Sequence, residues 1–542
     1  MKERLAITVR LQVGSAVHEV PGGNVRRLSL EMTTYGAVGT LEFVLQDDQK
    51  RGGKYQDDLL ADFVKPDLSK LEISIQGVHH DNGIALERGE IVCGGIVLDR
   101  QVEEYVTSRV LDAPSVLGRR YRLTFCDPAR ALWRQHFPCE LSTNKSFADV
   151  ITAQQGTLAV TFDWDVIEQQ VPLLFFHLDP ERGVSFYDLV IWYLQTRQGV
   201  LSYDQRTQGY SLQAAKDAKG SAVPMASGEL LRFVSSFPEV PRHVPRVKCS
   251  YSEAPTTTLL TNSQAASGVF RDVLLRTPIA KEVDSRAALE KSRPLSPARE
   301  VSLDFGRFPS DAPLPNTLFE LPFAASTGPL STPSEFRVFE LTLDARALEE
   351  QLEVDYGDAT TSFELALSAR LEAKDELRVR LPTFSAPNFP GFLEGKVVSE
   401  VGAAEELTYQ VYTDEATSVD NYHVKVPLFQ DQIVLAPYEP HSGGGMLYLP
   451  LYKGERVLLA FEFDSVRVRE LLDWRGETRV ALATQGEQLF LGKTAKNSTS
   501  LLHDYQAQKP VFRILRTNAN DTSYVRMEEG RLTLRVEEKA GG

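Results

Sequence analysis

Few residues of this sequence are spaced for chemistry. His79-His80-Asp81 comes nearest to a metal cluster, but Asn82-Gly83 follows at once, which reads as a solvated hairpin tip. Cys93, Cys126, Cys139 and Cys249 are scattered, with no C-x-x-C pair and no histidine pair nearby. The pattern predicts four reduced, mostly buried thiols rather than a zinc site. His177, within PLLFFHLDP, reads as a packed histidine rather than a base, and Glu349, Glu350, Glu353 and Asp355 as a solvated helix face and its exit. The glycosylation triplets at Asn144, Asn497 and Asn520 read as chance matches, since no signal peptide is expected. No G-x-S-x-G, Walker A, H-E-x-x-H or G-x-G-x-x-G motif occurs. The expectation is therefore no catalytic residue, no cofactor and no metal.

One stretch asks for a closer reading: HSGGGMLYLPLYKGERVLLAFEFD, residues 441–464. A phosphate cradle at Gly443, Gly444 and Gly445 needs a helix start behind the glycines, whereas a strand follows. The alternative is the corner of a small β-barrel, where glycine permits positive φ or close backbone approach. Tyr448, Pro450 and Leu451 then lead to a turn at Lys453-Gly454, behind which Val457, Leu459, Phe461 and Phe463 share one face.

The elements around such residues are mostly strands. Residues 1–125 alternate with period 2 in LAITVRL (5–11), LSLEM (28–32), GTLEFVL (39–45), LEISI (71–75) and YRLTF (121–125), with turns at 21–23, 51–53 and 81–83. Between 126 and 225 the period changes. Asn144 is placed to cap a helix whose Phe147, Val150 and Ile151 lie on one side. A second helix carries Phe186, Leu189, Val190, Tyr193 and Leu194 as a stripe and ends at Gly199, before a hairpin turning at Gln208-Gly209. Strands return over 226–390, interrupted by a stretch with eight prolines between Pro294 and Pro333 that reads as a long ordered loop. Pro-Asn-Phe-Pro-Gly at 387–391 reads as a linker, and five to seven short strands after it, EQLFLG included, suggest an OB-type barrel. In the last forty residues Leu532, Leu534 and Val536 face one way and Arg531, Thr533, Arg535 and Glu537 the other. A lone ribbon of this kind needs copies of itself to bury its apolar face.

Composition bounds the rest. A chain of 542 residues with 42% hydrophobic and 25% charged residues is ordinary globular material, enough for roughly three or four domains. Its formal charge of −15 speaks against nucleic acid as a partner. The start, MKERLAITVRLQVG, lacks the apolar core of a secretory signal, and no run approaches the roughly 18–20 apolar residues of a membrane span. Synthesis in the cytoplasm is expected.

The order of parts resembles the VgrG-type spike proteins, the fused hub and spike of contractile injection systems such as type VI secretion, extracellular injection particles and phage tails. The resemblance is carried by RYRLTFCDPARALWRQHFPCELSTNKSFADVITAQ (120–154), by SFYDLVIWYLQTRQGVLSYD (185–204), and by LEGKVVSE (393–400) through the glycine-rich stretch to Asp464. It implies a mainly β chain with a small α/β unit: a first hub barrel at 1–125, an α/β hub domain at 126–225, and a second hub barrel with the proline-rich insert at 226–390. An OB-fold domain at 391–504 and a short C-terminal β-prism or needle at 505–542 complete it.

It also implies an intertwined homotrimer whose paired barrels form a six-membered ring against a hexameric tube, with baseplate proteins and a PAAR-like tip protein as partners. Gly443, Gly444, Gly445, Tyr448, Pro450, Gly454, Val457, Leu459 and Phe461 would then serve trimer and spike packing. Arg531, Leu532, Leu534 and Val536 would form the needle and meet the tip protein. The particle would leave the cell after assembly and touch a membrane only on puncture. Two departures stand out: the needle is expected to be short, and the space from Gly492 to Thr533 is too small for the lysozyme domain of some phage spikes. The proline-rich stretch has no assigned counterpart. Two rivals predict otherwise: a modular β protein binding glycan or cell surface expects a monomer with exposed aromatic clusters, and a lysozyme-like or esterase-like effector expects a pocket with a perturbed acid or base.

Overall fold

The computed structural model describes residues 1–49, 53–81, 84–86, 88–107, 116–217, 220–277, 279–293, 299–321, 328–331, 334–348, 355–415, 419–438, 450–472, 487–494 and 496–538. The chain is mainly β and divides into two units: Met1–Pro138, Ser146–Gln170 and His177–Pro387 form one, and Cys139–Lys145, Val171–Phe176 and Asn388–Gly542 the other.

The first unit is organised by a 13-stranded sheet. Lys2–Val13, Ser69–Gly77, Glu90–Thr107, Val116–Cys126, Gly36–Asp47 and Val25–Thr33 pair in that order. They close only through a later hairpin, Glu335–Ala347 with Thr360–Ala373, whose strands pair with each other, with Val25–Thr33 and with Lys2–Val13. An eight-stranded barrel results. Period-2 alternation supplies its filling: Leu5, Ile7, Val9 and Leu11 point inward from the first strand, meeting Ile73, Phe43, Tyr121, Leu343 and Leu365. At Gly39 a Cβ would sit 2.5 Å from the Phe125 ring, so that position requires glycine for close approach.

The same hairpin serves a second set of strands. Its other half pairs with Glu300–Phe305 and Leu318–Glu320, and Leu230–Ser236 and Val223–Pro224 lie at the ends of the sheet. The expected division into a barrel at 1–125 and another at 226–390 therefore differs from the pairing, because one hairpin from the later segment completes the earlier barrel. A separate three-stranded sheet, Val244–Cys249 with Thr256–Leu259 and Phe270–Leu275, packs Val247 and Cys249 against Val283 of the helix Ala280–Ser292.

The two expected helices form as Phe147–Gln154 and Phe186–Arg197. Their ends correct the reading of the sequence. Ser146, not Asn144, caps the first: its hydroxyl accepts from the Asp149 N–H, and the Asp149 carboxylate accepts from the Ser146 N–H. Asn144 instead lies next to last in the preceding strand, Cys139–Lys145, at φ 54°. The left-handed C-cap of the second helix is Gln198, at φ 62°, while Gly199 follows it because a Cβ there would lie 2.4 Å from the Trp164 ring. Its stripe of Phe186, Leu189, Val190, Tyr193 and Leu194 is buried as the period predicted.

The loop between Asp47 and Ser69 is fastened to the barrel at Asp57, whose side chain is fully buried. Its Oδ2 accepts from the Tyr121 hydroxyl at 2.5 Å and from Arg119 Nη1 at 2.9 Å, and its Oδ1 accepts from the Leu59 N–H at 3.0 Å. Burial pulls the Arg119 guanidinium down, but hydrogen bonds to Glu104, Asp57 and Asp47 more than offset that and hold it above its ordinary value.

In the second unit Gly391–Val397 pairs with Asp420–Val426 and with Arg456–Phe461. Gln432–Pro437 continues from the first of these and Val466–Leu471 from the second, and a parallel bridge between Tyr438 and Val468 joins those two. Five strands thus close a small barrel. The α/β stretch contributes the ribbon Cys139–Lys145 with Val171–His177, from which Leu141, Leu173 and Phe175 enter the barrel core. Beyond residue 486 a five-stranded antiparallel meander runs through Glu487–Thr494, Asn497–Gln506, Lys509–Thr517, Asp521–Glu528 and Arg531–Glu538. EQLFLG, expected inside the barrel, is the first strand of this meander; its alternation suits either place, and its partner is Asn497–Gln506.

Candidate functional site

The C-terminal meander is the part of the chain whose geometry asks for something outside it. Its register places directly opposed side chains on one face. Leu489 faces Leu501, Leu501 faces Ile514, Ile514 faces Val525 and Val525 faces Leu534. Leu491, Phe512, Met527, Leu532 and Val536 extend the same face. The other face carries Arg513, Arg526, Tyr524, Arg535 and Glu537 together with Phe490, Leu502, Val511 and Leu515, with ion pairs such as Arg526–Glu528 at 2.7 Å and Arg535–Glu537 at 2.5 Å, while His503, Arg516 and Asp521 sit on the apolar side.

Only Ser500, Leu502 and Val511 of the described meander residues are buried, and all three lie on the charged face. The apolar face is most open on its last strand, where Leu532, Leu534 and Val536 are 62%, 71% and 69% exposed, while Leu501, Phe512, Ile514 and Val525 of the middle strands are half-buried. A continuous apolar face of this kind on a sheet marks an interaction surface.

Of the residues singled out in the sequence, Arg531, Leu532, Leu534 and Val536 lie on the last strand, alternating as expected. Gly443, Gly444, Gly445 and Tyr448 lie outside the described residues. Pro450 enters the barrel beside the fully buried Leu451. Gly454 takes φ 85° in the turn before Arg456–Phe461, donating its N–H to the Val397 carbonyl at 2.9 Å. Val457, Leu459 and Phe461 are fully buried in the barrel's own core with Val424, Val434 and Phe175. A side chain spent on its own barrel has no surface left for a second chain, so the packing role expected for these three is corrected to an internal one. Reading the sequence passed over Leu489, Leu491, Leu501, Phe512, Ile514, Val525 and Met527, although period-2 alternation in LFL, VFRIL and YVRM marks the same face.

The residues first considered for chemistry do not converge. The side chains of His79 and His80 lie outside the described residues, as do Glu349, Glu350 and Glu353. Among the described residues no group of three or more His, Cys, Asp or Glu could hold a metal ion, and no helix is long and apolar enough to cross a membrane. Cys93, Cys126 and Cys249 are buried, and Cys139 is exposed. Asp127 is buried and raised from its ordinary value by desolvation, yet it works as a cap, accepting from the Arg130 N–H at 3.0 Å and the Tyr210 hydroxyl at 2.7 Å.

The fold has solved counterparts. The chain is similar to a chain of the Francisella PdpA–VgrG complex in its half-lidded form, with a TM-score of 0.74 at 13% identity over 99% of this chain and 88% of that one. The lidless PdpA–VgrG complex gives 0.72 at 13% identity over 99% of both chains. The lidded Francisella form gives 0.70 at 12% over 99% and 80%. No family model and no curated protein matches the sequence. At such identities the likeness is one of fold, and the fold is the β-rich, VgrG-like one that the order of parts implied.

Proposed function

We propose that this chain is a non-enzymatic hub and spike subunit of a contractile injection machine, acting as a homotrimer that caps the tube and breaches the target membrane. The open apolar face of the meander carries the reading. A single sheet layer with one greasy face is not a stable end state in water, whereas three such sheets facing a common axis enclose a dry core and turn their charged faces outward. That arrangement is a short β-prism, and the five-stranded barrel before it would be the OB module of the spike. Force passes through such an assembly by rigidity, so interlocked sheets suffice.

By analogy of fold, the first unit would meet a hexameric tube and baseplate proteins, and a PAAR-like tip protein would seat near Arg531–Val536. Synthesis in the cytoplasm and export within the particle follow from that role.

Mass measurement by light scattering on the purified chain tests the proposal. A trimer of the 60.4 kDa chain is expected. Val525→Glu with Leu534→Glu, two charges on the open face, should yield monomers whose first unit remains folded. A wild-type monomer with its C-terminal sheet protected from proteolysis would sink the reading.

A further inference from the structure

A cleft of about 510 Å³ lies in the first unit. Four of its lining residues are arginines: Arg293, Arg370, Arg378 and Arg380. On a chain of net charge −15 this is a marked local inversion of sign. Glu300 accepts from three of them: Arg380 Nη2 at 2.6 Å, Arg370 Nη2 at 3.3 Å, and Arg378. Arg370 also reaches Glu340 at 3.0 Å, and Arg380 reaches Glu372 at 3.0 Å, but Glu372 already holds Lys216 at 2.5 Å and Arg337 at 3.6 Å.

At the other wall Glu290 is shared among Arg271 and Arg286, each at 2.8 Å, and Arg293 at 3.5 Å. Cations outnumber carboxylates in both clusters. Nε of Arg293 makes that 3.5 Å ion pair but no hydrogen bond among the described residues, and burial pulls that guanidinium below its ordinary value despite Glu290.

The rest of the lining suits a chain more than a small ion. Arg380 and Arg370 both lie over the Phe339 ring, 3.7 and 4.9 Å from its centroid, and Leu381, Pro382 and Phe384 add an apolar wall along a segment outside any sheet. Gln198 braces the mouth, donating Nε2 to the Leu289 carbonyl at 2.7 Å and to Ser292 Oγ at 3.2 Å. The guanidiniums come from three separate elements: Arg370, Arg378 and Arg380 gather on Glu300, and Arg293 stands apart from them on Glu290.

We propose that this arginine-lined cleft is a docking site for an acidic peptide segment of a partner protein, with carboxylates on Arg293, Arg370 and Arg378 and methylenes against Phe339 and Phe384. Planar forks paired with carboxylates are the recurrent chemistry of such recognition, and the excess guanidiniums supply them without stripping Glu300 of its partners.

The test is calorimetric titration of the full-length protein with hexaglutamate at low salt. Saturable binding at one site per chain is expected, weakening as sodium chloride rises. Arg370→Gln with Arg378→Gln should weaken it about tenfold or more, because charge-assisted hydrogen bonds are lost while Arg380 still neutralises Glu300. The thermal midpoint reports whether that variant folds, and Arg370→Gln alone should weaken binding in the same direction. Glu340→Gln removes the lining carboxylate and should tighten binding. The proposal is overturned if hexaglutamate does not bind saturably, if these variants leave its affinity unchanged, or if inorganic phosphate or citrate binds as tightly as the peptide.

Discussion

At the level of single residues, the buried polar groups of the first unit act as fasteners. Asp57 joins a loop, a short helix and the barrel wall through one carboxylate. Replacing it with alanine leaves the Arg119 guanidinium and the Tyr121 hydroxyl buried beside a void. A loss of about 3 kcal/mol is expected, as for other broken buried ion pairs. Thermal melting of the Asp57→Ala chain should show a lower midpoint, and proteolysis should cut first within 48–68; an unchanged melt would mean that the loop is held elsewhere. The thiols make a second prediction. Burial pushes Cys93 and Cys126 up to about 12, while Cys139 is exposed. A thiol reagent at pH 8 should label Cys139 in the native protein and reach Cys93 and Cys126 only after unfolding; early modification of Cys93 would contradict the packing described. The scattered spacing of the cysteines spoke against a zinc site, but nothing local in the sequence distinguished the exposed thiol from the buried ones.

At the level of elements, capping separates helices that look alike in sequence. Both open with a serine and an aspartate three residues later. The Asp149 carboxylate serves the Ser146 N–H and hydroxyl, whereas Asp188 serves Ser185 and also accepts from the Ser385 N–H at 3.0 Å, far along the chain. Ser146→Ala should therefore cost about 1 kcal/mol, the usual worth of a cap. Asp188→Ala should cost more, about 2–3 kcal/mol, since a charged acceptor is removed from several donors, one of them distant in sequence. Urea denaturation compares them directly, and equal losses would show that the tie to Ser385 contributes nothing. The stripes of both helices were legible because a 3.6-residue period is a local property. Their ends were less so: Asn144 and Gly199 are the standard cap residues, but the chain used Ser146 and Gln198 while tertiary crowding from Trp164 took the glycine.

For the whole molecule, strands were legible and their partners were not. Alternation located LAITVRL, LEISI and the return of strands over 226–390, yet it carries no information about which sheet edge each one meets. Hence the barrel's closing hairpin was assigned to a neighbour and EQLFLG to the wrong sheet. The open face of the meander was half visible: Leu532, Leu534 and Val536 were read as one face, and although alternation was there to read on the earlier strands, only register joins their seven residues to it. The prism proposal makes its prediction at this scale. Because its core would be apolar, trimer mass should persist from low salt to 1 M sodium chloride, in contrast with the arginine cleft, where hexaglutamate should be released. Dissociation of the trimer by salt alone would place the contacts between chains elsewhere, on charged surface.

The shared hairpin also has a bearing on how the protein is made. Met1 donates its terminal amine to the carbonyl of Leu365, 364 residues away, and the first six barrel strands wait for Glu335–Ala373 before they can close. A ribosome adding about 5–20 residues per second needs on the order of 10–40 s to supply the roughly 200 residues in between. Throughout that interval the nascent sheet presents two bare edges, the Lys2–Ala6 end of the first strand, which Ala16–Pro21 leaves uncovered, and Val25–Thr33, to a crowded cell. Newly made chains should accordingly lean on chaperones until the hairpin emerges, and synthesis halted before residue 335 should leave an N-terminal fragment that aggregates rather than a half-built hub.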